Sequence, residues 1–126
     1  MKCLTLINLR KIIFSTIFTL FLPLLVNASD GLSLEMFYEK EEDYGRTTVA
    51  LVFAVVVSNM TVDMNSNDIK ESMDNLLPII VQLLEDKWDP PAIIKLLSNR
   101  YNIRESFLQD MYFQYIELSI AEAAKT

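Results

Sequence analysis

The sequence predicts a small all-α, or mostly α, protein: a bundle of four to five helices after an N-terminal signal peptide. Three observations lead to this fold class. The chain of 126 residues has the length of one domain. Apolar residues in its second half recur at the spacing of amphipathic helices. The main segment rich in β-branched residues has almost no partner with which to form a sheet.

Residues 1–28 are typical of a secretory signal peptide. A positive start is followed by an uncharged run at 12–26, and Val26-Asn27-Ala28 places small residues where a signal peptidase cuts. The run has 15 residues and contains Pro23, whereas a membrane-spanning helix needs about 20 apolar residues. We therefore expect cleavage after Ala28 or Ser29, export to the periplasm or the extracellular space, and no stable membrane span afterwards.

The chain left after cleavage has 98 residues, with 8 basic and 17 acidic side chains, which gives a net charge of −9. It contains no cysteine, so disulfides cannot stabilise it and an apolar core has to do so. The absence of thiols favours a periplasm slightly over a eukaryotic extracellular setting. The acidic balance argues against nucleic acid as a partner, because phosphates bind to basic surfaces.

We divide the mature chain into an acidic N-terminal segment, 29–45, and a helical domain, 46–126. The acidic segment could begin with a short helix. Its carboxylates at Glu39, Glu41, Glu42 and Asp43 then crowd together, and like charges repel. We expect most of this segment to be a solvated face or a loose arm.

Residues 47–57 are ambiguous between helix and strand. Their many valines and threonines favour a strand. A strand needs a partner, however, and a two-stranded hairpin alone is marginal. As a helix, the segment places Val49, Val52, Phe53 and Val56 on one face, which Met60 continues just beyond it. We favour a buried helix because tertiary context can override local propensity.

Residues 68–88 form the clearest amphipathic helix. Asp68 is a candidate N-cap, with Glu71 three residues later as in a capping box. Pro78 falls on the polar side. One broad face is apolar and is made of Ile69, Met73, Leu76, Leu77, Ile80, Leu83 and Leu84.

Two more helix starts follow closely. Asp89 is a suitable N-cap, and Pro90 suits the first helical position because its missing N–H has no partner there. The next helix is expected to begin after Asn102, with Glu105 three residues beyond this cap, and to run to about Ala123.

Composition excludes several kinds of active site. There is no histidine, one cysteine and only two glycines. A Cys/His zinc site, a Ser-His-Asp or Cys-His catalytic arrangement and a glycine-rich phosphate loop are therefore all ruled out. We predict no catalytic residue, no cofactor and no metal ligand, and consider an enzyme the less favoured interpretation.

Two alternatives stay open. Residues 63–74 place oxygen side chains at positions 1, 3, 5, 9 and 12 of a calcium-loop register, although Asp68 stands where such loops need glycine. The carboxylates of the acidic segment could serve a small hydrolase that acts on cell-wall glycans, provided that one of them is buried enough to keep its proton. A polar loop and a solvated charge run are the simpler interpretations.

The last helix carries more apolar surface than one stripe requires. Beyond its main apolar face, Phe113, Ile116 and Ile120 lie within about 60° of one another. They could pack inside the domain, which we favour slightly for Phe113, or dock a second copy or a partner protein. The preferred function is accordingly a non-enzymatic binding or protein-interaction role for a small exported protein.

Overall fold

The computed structural model describes residues 32–125, and within this range the fold is all-α, as predicted. Five helices follow one another through short connections: α1 (Leu34–Tyr44), α2 (Arg46–Asn59), α3 (Ser66–Glu85), α4 (Pro90–Tyr101) and α5 (Glu105–Ala124). The described range contains no strand. The predicted signal peptide, 1–28, lies outside the described residues.

Helix α2 is the centre of the bundle. Ten consecutive side chains, Thr48–Val57, are buried, and the other four helices all pack against α2. The segment that was ambiguous between helix and strand is thus a helix. Its β-branched residues are accommodated because surrounding helices bury all its faces, and a helix satisfies its own backbone hydrogen bonds without a partner strand.

Helix α1 is a packed part of this bundle. The Ser33 hydroxyl caps its start, accepting a hydrogen bond from the Glu35 N–H at 3.3 Å. Phe37 is fully buried, with its ring 5.2 Å from that of Phe53 and 6.3 Å from that of Tyr115. The expected solvated face is confined to the outward side of the helix, because the apolar residues between the carboxylates fill the core.

A glycine makes the connection between α1 and α2 possible. Gly45 has φ of +87°, a backbone conformation that other residues rarely adopt, and it is at once the C-cap of α1 and the N-cap of α2. Its N–H donates to the carbonyl of Glu41 at 2.8 Å. The chain therefore turns within one residue, which brings Arg46 close to Glu41.

The amphipathic helix predicted at 68–88 is confirmed as α3, but it ends at Glu85, three residues earlier than predicted, and its N-cap is Asn65 and not Asp68. The Asn65 side chain accepts from the Asp68 N–H at 3.0 Å, and the Asp68 carboxylate accepts from the Asn65 N–H at 3.3 Å. This is a complete capping box that starts three residues earlier than expected. Its buried side is the predicted one, with Met73, Leu77 and Ile80 in the core.

Asp89 is the N-cap of α4, as predicted, and accepts a hydrogen bond from the Ala92 N–H at 3.0 Å. Asn102 was predicted to cap the last helix, and this is wrong. It is the C-cap of α4, in the left-handed conformation (φ 53°, ψ 47°) that asparagine tolerates better than most residues. Helix α5 starts after Arg104 without a side-chain cap.

None of the described helices combines the length and the apolar character needed to cross a membrane.

Candidate functional site

The candidate site is the set of Phe113, Ile116 and Ile120 on α5, which we name the α5 stripe. Phe113 is 55% exposed and Ile120 is 52% exposed, whereas Ile116 between them is half-buried against the core. The slight preference for Phe113 in the core is therefore wrong. Two large apolar side chains, seven residues apart on one helix face, are open to solvent.

The opposite side of α5 holds the stripe outward. Leu108, Met111 and Tyr115 are buried, and α5 makes the most extensive packing with the central helix α2. The ring of Tyr112 meets that of Phe113 edge-on, with centroids 5.3 Å apart. Because one face is fully used by the core, Phe113 and Ile120 cannot turn inward without displacing it.

A polar cluster of Glu41, Arg46, Tyr115 and Ser119 fixes the C-terminal half of α5 to α1 and α2. The Tyr115 hydroxyl donates to Glu41 Oε1 at 3.1 Å, and the Ser119 hydroxyl donates to the same oxygen. Arg46 Nε donates to Ser119 Oγ at 2.8 Å and lies 3.5 Å from Glu41 Oε1. Two hydroxyl donors and one guanidinium charge thus meet one carboxylate oxygen at the junction of three helices.

Burial, together with Glu41 of the cluster, keeps the Tyr115 hydroxyl protonated into the alkaline range. Burial raises the pKa of its hydroxyl far above the ordinary 10.0, and the negative charge of Glu41 and the hydrogen bond to it act in the same direction. The pKa of Tyr38, whose ring centroid is 5.9 Å from that of Tyr115, is raised too, by burial and by the charges of Glu122 and Glu41. Both phenols therefore keep their protons at alkaline pH values where an ordinary tyrosine begins to ionise.

Sequence reasoning missed this cluster. The carboxylate at Glu41 and the hydroxyls it accepts from are more than seventy residues apart in the chain. A local signal does exist: Ser119 is a polar residue four positions after Tyr115, on the side of the helix that the core covers. A buried serine needs a partner, so this spacing indicates a polar contact without naming the partner.

The carboxylates of the acidic segment do not converge. Glu41 is held in the polar cluster, while Glu39, Glu42 and Asp43 lie on the exposed side. Glu39 lines an open groove of about 220 Å³ between α1 and α3 together with Asp74, where Lys40 pairs with Asp74 at 3.6 Å. A general acid needs a carboxyl group shielded from water, and these exposed groups are not.

The residues of the calcium register belong mainly to a helix. Residues 66–74 lie in α3, and Asn65 and Asp68 hydrogen-bond to each other in the capping box. A calcium loop must wrap its oxygens around the ion, which a regular helix does not do. In residues 32–125, no group of three or more acidic, histidine or cysteine side chains is placed to hold a metal ion.

Comparison with known proteins does not assign this chain to a family. No protein-family model matches the sequence, and no curated protein and no solved structure shows significant similarity to it. The candidate functional site is therefore the α5 stripe. The polar cluster holds the helix that carries it.

Proposed function

We propose that this chain is a small exported helical protein with a non-enzymatic role, and that it works by docking a protein partner on the α5 stripe. One observation carries the proposal: Phe113 and Ile120 are both more than half exposed on the same helix face. Single exposed apolar residues are common on protein surfaces, but an aligned pair with a half-buried isoleucine between them forms a continuous apolar ridge.

Rigidity of the helix that carries the ridge supports the same function. The side of α5 behind the stripe is packed on α2, and the polar cluster holds its C-terminal half. A ridge on a fixed helix loses little conformational entropy when a partner covers it. Aromatic side chains such as Phe113 are also enriched at protein interfaces.

Export is the other half of the proposal and rests on the sequence of residues 1–28. The basic start, the uncharged run and the small residues at the cleavage position support secretion or a periplasmic location. Intact-mass analysis of the protein recovered from outside the cytoplasm tests it. A species that starts near Ser29 is expected, and a mature species that still starts at Met1 would contradict export.

The docking role is tested by photo-crosslinking in the cells that produce the protein. A photoreactive amino acid replaces Phe113 or Ile120 in one set of variants, and Tyr44 or Val62 in a control set. The control positions are also exposed apolar residues, at 41% and 57%. We expect a discrete adduct from the stripe positions alone. No adduct, or the same adduct from all four positions, would refute the assignment of the surface.

A further inference from the structure

The spacing of the α5 stripe matches a helix as the docked element. Phe113, Ile116 and Ile120 follow one another by three and then four residues, which is the repeat of a helix–helix seam. Ala123, seven residues after Ile116, is exposed and continues the same line with a small side chain. A second helix that lies along α5 would contact all of these positions, whereas a loop would meet only one or two.

The stripe lies in an acidic setting. Glu117 is exposed and stands four residues after Phe113 and three before Ile120, so its carboxylate borders both apolar side chains. From Glu105 to Ala124, α5 has four acidic residues and no lysine or arginine. Residues 32–125 together contain 16 acidic and 8 basic side chains. A partner helix therefore approaches through a negative potential.

A second copy of the chain fits this surface poorly. Two α5 stripes facing each other would bring two acidic helices and two copies of Glu117 together, and like charges across an interface cost binding energy. The area is also small, because two half-exposed side chains supply far less than the roughly 800 Å² per partner of a stable dimer. The same limit holds for any partner on the stripe, so a partner has to add ion pairs beside Glu117 that a second copy does not supply.

We infer that the α5 stripe receives a basic amphipathic helix of a partner protein, with apolar residues against Phe113 and Ile120 and lysine or arginine beside Glu117. This inference rests on the proposed function and adds the chemistry of the partner. Opposite charges speed the encounter of the two surfaces, and the apolar ridge supplies the contact that holds them.

The test uses synthetic peptides of about 18 residues, long enough to cover the stripe as a helix. One peptide has leucine at the seam positions and lysine and glutamine elsewhere. A second replaces its lysines by glutamate, and a third replaces its leucines by serine. Fluorescence anisotropy of the labelled peptides measures binding to the mature protein at about 50 mM and about 300 mM salt.

We expect the leucine–lysine peptide to bind and the other two to bind at least about tenfold more weakly. The double variant Phe113→Ser/Ile120→Ser should weaken its binding about tenfold, and Glu117→Lys should weaken it several-fold and reduce the salt dependence. The control Glu85→Lys changes the net charge equally at the end of α3 and should have the smaller effect. Circular dichroism establishes that each variant is folded.

Four results would overturn the inference: no binding of the leucine–lysine peptide, equal binding of the glutamate peptide, binding that ignores the stripe variants, or a wild-type dimer in sedimentation that the double variant abolishes. The last result would assign the stripe to a second copy. An adduct at Phe113 without binding of the basic peptide would refute the partner's chemistry and leave the docking function standing.

Discussion

The hydroxyl of Tyr115 donates a hydrogen bond to Oε1 of Glu41 across 3.1 Å and so joins the last helix of the bundle to the first. The same oxygen accepts from Ser119, while Arg46 supplies a positive charge at 3.5 Å. The acidic segment is thereby tied to the core through one of its carboxylates. The contribution of that carboxylate to stability can be measured directly.

Replacement of Glu41 should destabilise the fold. Glu41→Ala leaves the buried hydroxyls of Tyr115 and Ser119 without their common acceptor, which costs about 1–3 kcal/mol. Glu39→Ala, at an exposed position on the same helix, should change stability by less than about 0.5 kcal/mol. Urea unfolding of both variants makes the comparison, and equal effects would mean that the cluster contributes nothing beyond surface charge.

Stability should fall in alkali because of Tyr115. Its pKa in the folded state is raised by burial and by Glu41 above the ordinary 10.0, so the folded state keeps a proton that the unfolded state releases. The stabilisation is complete below about pH 10 and is lost progressively as the pH rises above it. Unfolding midpoints at about pH 8 and about pH 11 should differ less in Tyr115→Phe than in the wild type. An unchanged difference would contradict this origin.

The apolar face of α3 should tolerate little truncation. Leu77 is 2% exposed, and Leu77→Ala is expected to lower the free energy of unfolding by about 2–5 kcal/mol through the cavity it leaves. Gln82 is exposed and its side-chain amide donates to Asp86 at 3.1 Å, so Gln82→Ala should cost less than about 0.5 kcal/mol. Denaturant melts compare the two, and similar small effects would place the buried face of α3 elsewhere.

The capping box at the start of α3 should behave as one unit. Asn65→Ala removes the side-chain acceptor for the Asp68 N–H and should cost about 1 kcal/mol. Asn65→Ala keeps the backbone N–H that donates to the Asp68 carboxylate, but it frays the first turn that holds the two groups together. Adding Asp68→Ala should therefore cost less than it does alone. Asp63→Ala, just outside the helix, is the control and should be nearly neutral. Strict additivity in thermal melts would argue against the box.

The α5 stripe should be dispensable for folding. Phe113→Ser/Ile120→Ser alters side chains that are more than half exposed, so the free energy of unfolding should change by less than about 1 kcal/mol. Leu108→Ala, at a fully buried position of the same helix, should cost about 2–5 kcal/mol. Circular dichroism melts decide this, and unfolding of the double variant would make the stripe part of the core.

The features that sequence reasoning predicted correctly are local ones. The apolar face of α3 follows from the helical period of its apolar residues. The start of α4 follows from Asp89 and Pro90, which favour a helix start through the backbone next to them in the sequence. The Asn102 assignment failed because asparagine suits both a helix start and a left-handed helix end, and the choice depends on the backbone.

Two other features depend on contacts that no single segment contains. The sequence predicts one apolar face for helix α2, but every side from Thr48 to Val57 is buried by other helices. The exposure of Phe113 likewise depends on how many helices surround α5. Periodicity identifies the apolar face of a helix, but it does not show how many neighbouring helices will cover that helix.

The burial of α2 on every side has a consequence for how the molecule opens. Ten consecutive residues of α2 are shielded from water by the other helices. If any covering helix detaches, part of this apolar surface becomes exposed to water, which is unfavourable. The amide hydrogens of 48–57 should then exchange with solvent only when the whole bundle unfolds, whereas those near the ends of α1 and α5 can exchange through local fraying. We therefore expect the described bundle to unfold cooperatively, because any half-folded state would leave the central helix partly uncovered.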